Sequence, residues 1–370
     1  MEPIIEHRIR QLREALPPAG IDALLVMVAE NRRYLSGFTG EDTQFDESAG
    51  ALIITAGELL LATDSRYELQ AHQEAPDYEV VCYKEGLAKE LPALVERLGI
   101  SRLGFESVRL TVQQHQKIQE ELKKSGNSTR LLPVEDLVES LRIVKDETEV
   151  EQTRYALRLA ESAFTACLPQ IRPGTTEKDL AWLMEKQMRE SGAEGLSFPS
   201  IVAAGANSAL PHAVPGDRAI QPGEPLLFDW GARLNGYCSD ISRTVIIGQP
   251  DSRFKEVFQT VLDAQRFAID AIRPGVSSRA VDKVARDHID SKGFGGLFGH
   301  GLGHGTGLAI HEAPRLSPLK EFRLEAGMIS TVEPGIYIPQ WGGVRLENMI
   351  VVRDSGAEVL NKLDPGHCRI

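Results

Sequence analysis

Apolar positions change their spacing several times along the chain, and each change marks an element. Ala23-Leu-Leu-Val-Met-Val28 is continuously apolar and predicts a buried strand, followed by a turn and short helix over Asn31–Phe38. Ala51–Thr55 and Leu59–Thr63, parted near Gly57, predict a hairpin. Leu87–Leu98 and Thr111–Lys124 carry apolar residues at helical spacing, with a strand at Leu103–Phe105 between them. From Ile21 to about Arg142 this alternation predicts an α/β layer fold. His72 and His115 are expected on its surface. No chemical constellation forms there, which leaves it a lid or dimerisation role.

The remainder repeats itself. Residues 137–145 read as a connection, and Thr148-x-x-Glu151 predicts a capping box opening a helix. That helix carries Val150, Leu157, Ala160, Phe164, Cys167 and Ile171, stops at Arg172-Pro-Gly174, and is followed by a second from about Glu177 to Glu190. The layout returns with Phe254, Val257, Val261, Ala268 and Ile272, a stop at Arg273-Pro-Gly275, and a helix from about Arg279 to Ser291. After each pair comes a Gly-rich, His-bearing segment and then a hairpin.

The first hairpin turns at Asn235-Gly236, with Asp229 on its incoming and Asp240 on its outgoing strand. Aligning Gly223 with Gly327 sets Asp229 on Glu333 and Asp240 on Glu347, with a longer loop, Pro339–Gly343, in the second hairpin. The expectation is two αα-β halves facing each other, with a carboxylate pair from each entering a shared cleft.

Composition narrows the class. A chain of 370 residues exceeds what one core usually holds, so two domains are expected. A net charge of −12 argues against nucleic acid or an anionic membrane as partner. The N-terminus lacks the apolar core of a signal peptide, and no apolar run is long enough to span a bilayer. Cys82, Cys167, Cys238 and Cys368 are widely spaced and form no C-x-x-C. A reduced, cytoplasmic protein is expected, with Cys238 a small buried residue near Asp240.

A single Asp after an apolar run can be a buried residue bonded to backbone. Four carboxylates converging without compensating charge cannot all stay ionised, so cations are required. Phe298-Gly-His-Gly-Leu-Gly-His-Gly-Thr-Gly307 supplies histidines. If extended, His300, Leu302, His304 and Thr306 share one face, while the glycines admit another backbone. The run matches neither a phosphate-binding glycine motif nor a zincin helix. One of His300 and His304 is expected as a metal ligand and the other as a substrate contact. Carboxylates with one imidazole suit Mn, Co, Fe or Zn. Two such ions, roughly 3.5 Å apart, activate a water and polarise a carbonyl. His212 and His311, at related places in the two halves, are free to donate hydrogen bonds or shuttle a proton.

Together these motifs resemble the pita-bread metallopeptidases: aminopeptidase P and prolidase, with methionine aminopeptidase and creatinase as relatives. The first domain resembles the creatinase/prolidase N-terminal domain, with Asn31-Arg-Arg-Tyr-Leu-Ser-Gly-Phe38 as its typical opening. The resemblance implies an α/β N-terminal domain over residues 1–140. An α+β pita-bread catalytic domain with an internal pseudo-two-fold repeat follows over 141–370. Methionine aminopeptidases usually lack the first domain and creatinase lacks the intact ligand set, which favours the hydrolytic dinuclear branch.

By the same resemblance the metal ligands are Asp229, Asp240, His304, Glu333 and Glu347, holding two divalent ions, Mn first and Co, Zn or Fe as alternatives. Glu333 also handles the proton of the attacking water, and His212 and His311 hold substrate and intermediate. His300 lines the pocket for the residue after the scissile bond, and Arg345 organises the surroundings of the ligands. His311-Glu-Ala-Pro-Arg315 is similar to a prolidase run whose arginine binds the dipeptide carboxylate, and similar runs occur in short aminopeptidase P-like proteins. The implied activity is an Xaa-Pro aminopeptidase acting on peptides with proline at the second position. Alternatives are an Xaa-Pro dipeptidase and a non-catalytic peptide-binding member. A homodimer is expected.

Overall fold

The apolar runs near the N-terminus become neighbouring strands of one mixed sheet. The computed structural model describes residues 3–370 apart from 43, 45 and 46. It divides into two compact units, Met1–Leu141 and Arg142–Ile370. In the first, Ala23–Val26 pairs antiparallel with Ala51–Thr55 and parallel with Arg102–Glu106. Ala51–Thr55 continues antiparallel to Leu59–Thr63. Helices Leu87–Arg97 and Val112–Lys124 pack Leu91, Leu94, Val95, Ile118 and Leu122 against one core with these strands. The strands are apolar at successive positions because both faces are buried.

The first strand stops at Val26, short of the apolar run's end. Buried Glu106 captures the N–H groups of Met27 and Val28, both at 2.6 Å, and draws the chain out of the ladder. The helix after it spans Ala29–Ser36, and its Asn31 donates to the same carboxylate at 2.6 Å. His115 is half-buried rather than a surface residue, its ring 5.2 Å from that of Phe105, because it lies on the inner side of its helix.

In the second unit the helices are Glu147–Cys167, Glu177–Glu190, Ser252–Ala271 and Ser278–Ile289. The first is capped by Asp146 with Glu149, not by Thr148 with Glu151. Asp is as good an N-cap as Thr and stands earlier in the chain, so it claims the N–H groups of Thr148 and Glu149.

The repeat is visible in paired backbone contacts. Gly174 donates to Ile220 at 3.0 Å, as Gly275 donates to Leu324 at 2.7 Å. Gly223 donates to Ile247 at 3.0 Å, as Gly327 donates to Val352 at 2.8 Å. Both Gly223 (φ 82) and Gly327 (φ 90) occupy the left-handed region that favours glycine. This is the pita-bread arrangement, two αα-β halves related by a pseudo-two-fold.

Each half contributes a long hairpin. The first joins Pro225–Trp230 to Ile241–Ile246 and continues as Ala232–Leu234 against Tyr237–Cys238, turning at Asn235 (φ 50) and Gly236 (φ 79). The second joins Ile329–Val332 to Asn348–Arg353 and continues as Gly335–Ile338 against Gly342–Arg345. Trp230 locks the first hairpin to its helix, stacking on Phe164 at 4.6 Å and donating from Nε1 to Ala160 at 2.9 Å.

Candidate metal centre

Strand register decides which side chains meet. In the first hairpin Asp229 lies opposite Ser242, and Trp230 opposite Ile241. One step further the same register sets Asp240 opposite Gly231, where an added Cβ would stand 1.9 Å from the Ser239 carbonyl. Asp229 and Asp240 are therefore diagonal neighbours on one face. In the second hairpin the pairs Val332–Asn348 and Gly335–Arg345 bracket Glu333 and Glu347, which face each other directly.

By register, Asp240 thus corresponds to Arg345 and Ser242 to Glu347, two positions away from the match of Asp240 with Glu347. Alignment by residue type cannot see the ladder, and the longer second loop absorbs the difference. The consequence is chemical. Arg345 places Nη2 2.6 Å from Asp229 Oδ2 and donates from Nε to Ser242 Oγ at 2.8 Å. Ser242 in turn donates to Glu347 Oε2 at 3.0 Å.

His304 enters from Gly303–Gly305, which passes close to Ile329–Val332 because glycine leaves room: a Cβ on Gly303 would stand 2.0 Å from the Thr331 carbonyl. Its Nε2 is 3.4 Å from both Asp240 Oδ2 and Glu333 Oε1. Its Nδ1 lies 3.0 Å from the Gly305 carbonyl, which can only accept, so Nδ1 donates there and Nε2 is the ring atom turned to the carboxylates. Thr331 Oγ1 accepts from the His304 N–H at 3.0 Å and donates to Glu333 Oε1 at 3.1 Å.

His300 is turned elsewhere. Its Nδ1 is 2.8 Å from the Gly301 carbonyl and its Nε2 is 2.9 Å from the Tyr337 hydroxyl. Arg345 Nη1 donates to that hydroxyl at 2.8 Å, so Tyr337 donates onward to the imidazole. Burial favours the neutral form of His300. The shared face predicted for residues 300–306 is not realised. Only Gly303–Gly305 is strand, and the chain bends at Leu302, whose apolar side chain is drawn fully into the core.

The donor set suits divalent cations. Asp240, His304 and Glu347 each offer a ligand atom, all within 4.8 Å of one another. Asp229 Oδ1 and Glu347 Oε1 are buried with no hydrogen-bond partner. Burial, reinforced by neighbouring carboxylates, pushes Asp240 and Glu347 well above the ordinary carboxylate range. Asp229 is also raised by burial, with Arg345 opposing. Orphaned anionic oxygens packed at this density fit positive ions, and the hard oxygen-rich set fits divalent ones.

A cavity of about 740 Å³ opens onto this cluster. Asp229, Asp240, His304, Glu333, His212, His300, His311, Arg315 and Arg345 all line it, whereas Glu347 lies beneath at 1% exposure. His311 meets His304 edge to face at 4.5 Å. Arg315 stands opposite His304 in the pairing of Glu312–Leu316 with Gly303–Gly305. Next to His311, Glu312 turns away into a buried ion cluster with Arg142 and, at 3.0 Å, Lys145. Cys238 is buried, its thiol 3.7 Å from the Leu308 carbonyl and pushed up to about 12 by burial.

Sequence reasoning passed over Ser242, Thr331 and Tyr337. The first two carried a signal: each lies two positions from a carboxylate at the end of its own strand, and so on the same face. Tyr337 and the cations around Glu312 had none, because only tertiary packing brings them together.

Two helical halves holding carboxylates and one imidazole at the base of a cavity define a hydrolytic metalloenzyme of the pita-bread fold. The chain belongs to metallopeptidase family M24, whose model matches residues 151–354, and the creatinase/prolidase N-terminal domain model matches residues 8–144. It is 35% identical over 361 residues to an Xaa-Pro dipeptidase of Pyrococcus horikoshii, with 98% of each chain covered. Among solved structures, an Xaa-Pro dipeptidase from Bacillus anthracis superposes with a TM-score of 0.92 at 40% identity, covering 99% of this chain and 100% of that one. An X-Pro aminopeptidase from Thermotoga maritima follows with a TM-score of 0.86 at 38% identity, covering 95% and 98%. Among the described residues no helix is long and apolar enough to cross a membrane.

Proposed function

We propose that the protein is an Xaa-Pro dipeptidase that hydrolyses the bond before a C-terminal proline. This reverses the order in which the sequence ranked the aminopeptidase and the dipeptidase. The observation that carries it is Arg315, exposed on the cavity wall opposite His304 and paired with no carboxylate among the described residues. A guanidinium so placed suits the free carboxylate of a dipeptide held across the metal ligands. The dipeptidase names of the Pyrococcus and Bacillus relatives support this reading.

Asp229, Asp240, His304, Glu333 and Glu347 would hold two divalent ions, manganese by preference for a hard oxygen-rich set. When bound, such ions lower the pKa of water and polarise a carbonyl. Glu333, steadied by Thr331, takes the proton of the attacking water at Oε2 and returns it to the proline nitrogen as that bond breaks. His212 and His311 donate to the substrate carbonyl oxygen as charge develops on it. His300, held by Tyr337 and through it by Arg345, borders the proline ring.

The second reading, an aminopeptidase on longer peptides, is favoured by the Thermotoga relative. Steady-state hydrolysis of Ala-Pro, Ala-Ala and proline-containing tripeptides by the manganese-loaded enzyme tests both. Cleavage of Ala-Pro well above Ala-Ala is expected. Arg315→Ala should raise KM for Ala-Pro by about tenfold, in keeping with one charge-assisted hydrogen-bonded pair. No cleavage of Ala-Pro would sink the dipeptidase reading.

A further inference from the structure

Beyond Arg315 the same wall of the cavity carries a second cation. The strand Glu312–Leu316 runs antiparallel to Gly303–Gly305, with Leu316 opposite Gly303. The chain then passes Gly301, whose added Cβ would meet the Leu316 carbonyl at 3.1 Å and Ser317 Cβ at 3.2 Å. It therefore travels away from the metal ligands, alongside the segment that bears His300, and brings Leu319 and Lys320 to the cavity wall. Arg315 and Lys320 stand in series, the first opposite His304 and the second farther out. No carboxylate among the described residues pairs with Lys320, whose ammonium lies 5.1 Å from the Phe322 ring. A cation with no carboxylate partner at the wall of a cavity of about 740 Å³ offers a site to an anion, which would draw the ammonium from the Phe322 ring.

We infer that Lys320 is a specificity-determining residue that binds the C-terminal carboxylate of Xaa-Pro-Yaa tripeptides. It serves the position one residue beyond the carboxylate that Arg315 receives. One added residue advances an extended peptide by about 3.3 Å. Lys320 stands five positions beyond Arg315 in the chain, so its long flexible stem must reach back along the wall to meet that carboxylate. The two cations then act as a length gauge, Arg315 for dipeptides and Lys320 for tripeptides. The inference rests on the Xaa-Pro dipeptidase reading above and widens it: dipeptides ending in proline are the first substrates and Xaa-Pro-Yaa tripeptides the second.

The test is steady-state kinetics of the metal-loaded full-length enzyme and Lys320→Gln on Ala-Pro, Ala-Pro-Ala and Ala-Pro-Ala amide. An exposed ion pair predicts that wild type has a KM for the tripeptide acid about two- to fivefold below that for its amide. High salt should erase this advantage by screening. In Lys320→Gln the acid should lose the advantage and behave like the amide, with kcat little altered. The ratio of kcat/KM for tripeptide acid over dipeptide should fall by the same factor. Equal handling of acid and amide by wild type, equal effects of the substitution on all three substrates, or no tripeptide cleavage would each overturn the inference. If Ala-Pro is still cleaved in those cases, the dipeptidase reading stands; if no Xaa-Pro substrate is cleaved, both fall.

Discussion

Replacing Glu312 by glutamine removes an anion from between two buried cations. The Glu312 side chain is 8% exposed, that of Lys145 1% and that of Arg142 5%, so none of the three charges is well solvated. Burial alone would raise the Glu312 carboxyl, but Lys145 and Arg142, with the Ala309 N–H at 2.9 Å, outweigh it and hold it at about 2 against an ordinary 4.5. At about 1.4 kcal/mol per pH unit, this corresponds to roughly 3 kcal/mol of native-state stability at neutral pH. Breaking a buried pair from one side costs a similar amount, roughly 3–5 kcal/mol.

The folded value lies below the unfolded one, so the contribution is complete above about pH 4.5 and is lost as pH falls towards about 2. The assay is urea unfolding of metal-free wild type and Glu312→Gln from pH 7 downward, following the transition of the second unit. Comparing the two proteins at each pH cancels the titration of the buried carboxylates they share. A gap of roughly 3 kcal/mol at pH 7 should narrow steadily below pH 4.5. A gap under about 1 kcal/mol at pH 7, or one unchanged with pH, would refute the reasoning.

Asp240→Ala should keep the circular dichroism of the fold but lower hydrolysis by orders of magnitude. More than about a tenth of the wild-type rate with manganese supplied would remove Asp240 from the ligand set. His212→Ala and His311→Ala should each lower kcat on the order of a hundredfold while elemental analysis finds the metal retained. Loss of metal in either would make that histidine a ligand. Gly303→Ala drives a Cβ to within 2.0 Å of the Thr331 carbonyl, so Gly303–Gly305 must move off its neighbour and take His304 with it. Reduced metal content and a lower melting temperature are expected, and wild-type values for both would refute the close-approach argument.

Much of this molecule is legible in the sequence because its information is local. Apolar runs and helical spacing mark the strands Ala51–Thr55 and Leu59–Thr63 and the helix Glu177–Glu190. The repeated Arg-Pro-Gly stops and paired glycines reveal two similar halves, since a left-handed backbone position leaves glycine as its trace. Carboxylates set after apolar runs stand out because burial makes them costly without compensation. What the chain alone could not decide was which atoms meet. Register set Asp240 opposite Gly231 and Glu347 opposite Glu333, and so made Arg345 the counterpart of Asp240. The bend at Leu302 separated His300, bound to Tyr337, from His304 among the carboxylates. Glu312 found Arg142 and Lys145 only through packing. Pairing register and side-chain contacts depend on residues far apart in the chain, and a difference of two positions keeps the face while changing every partner.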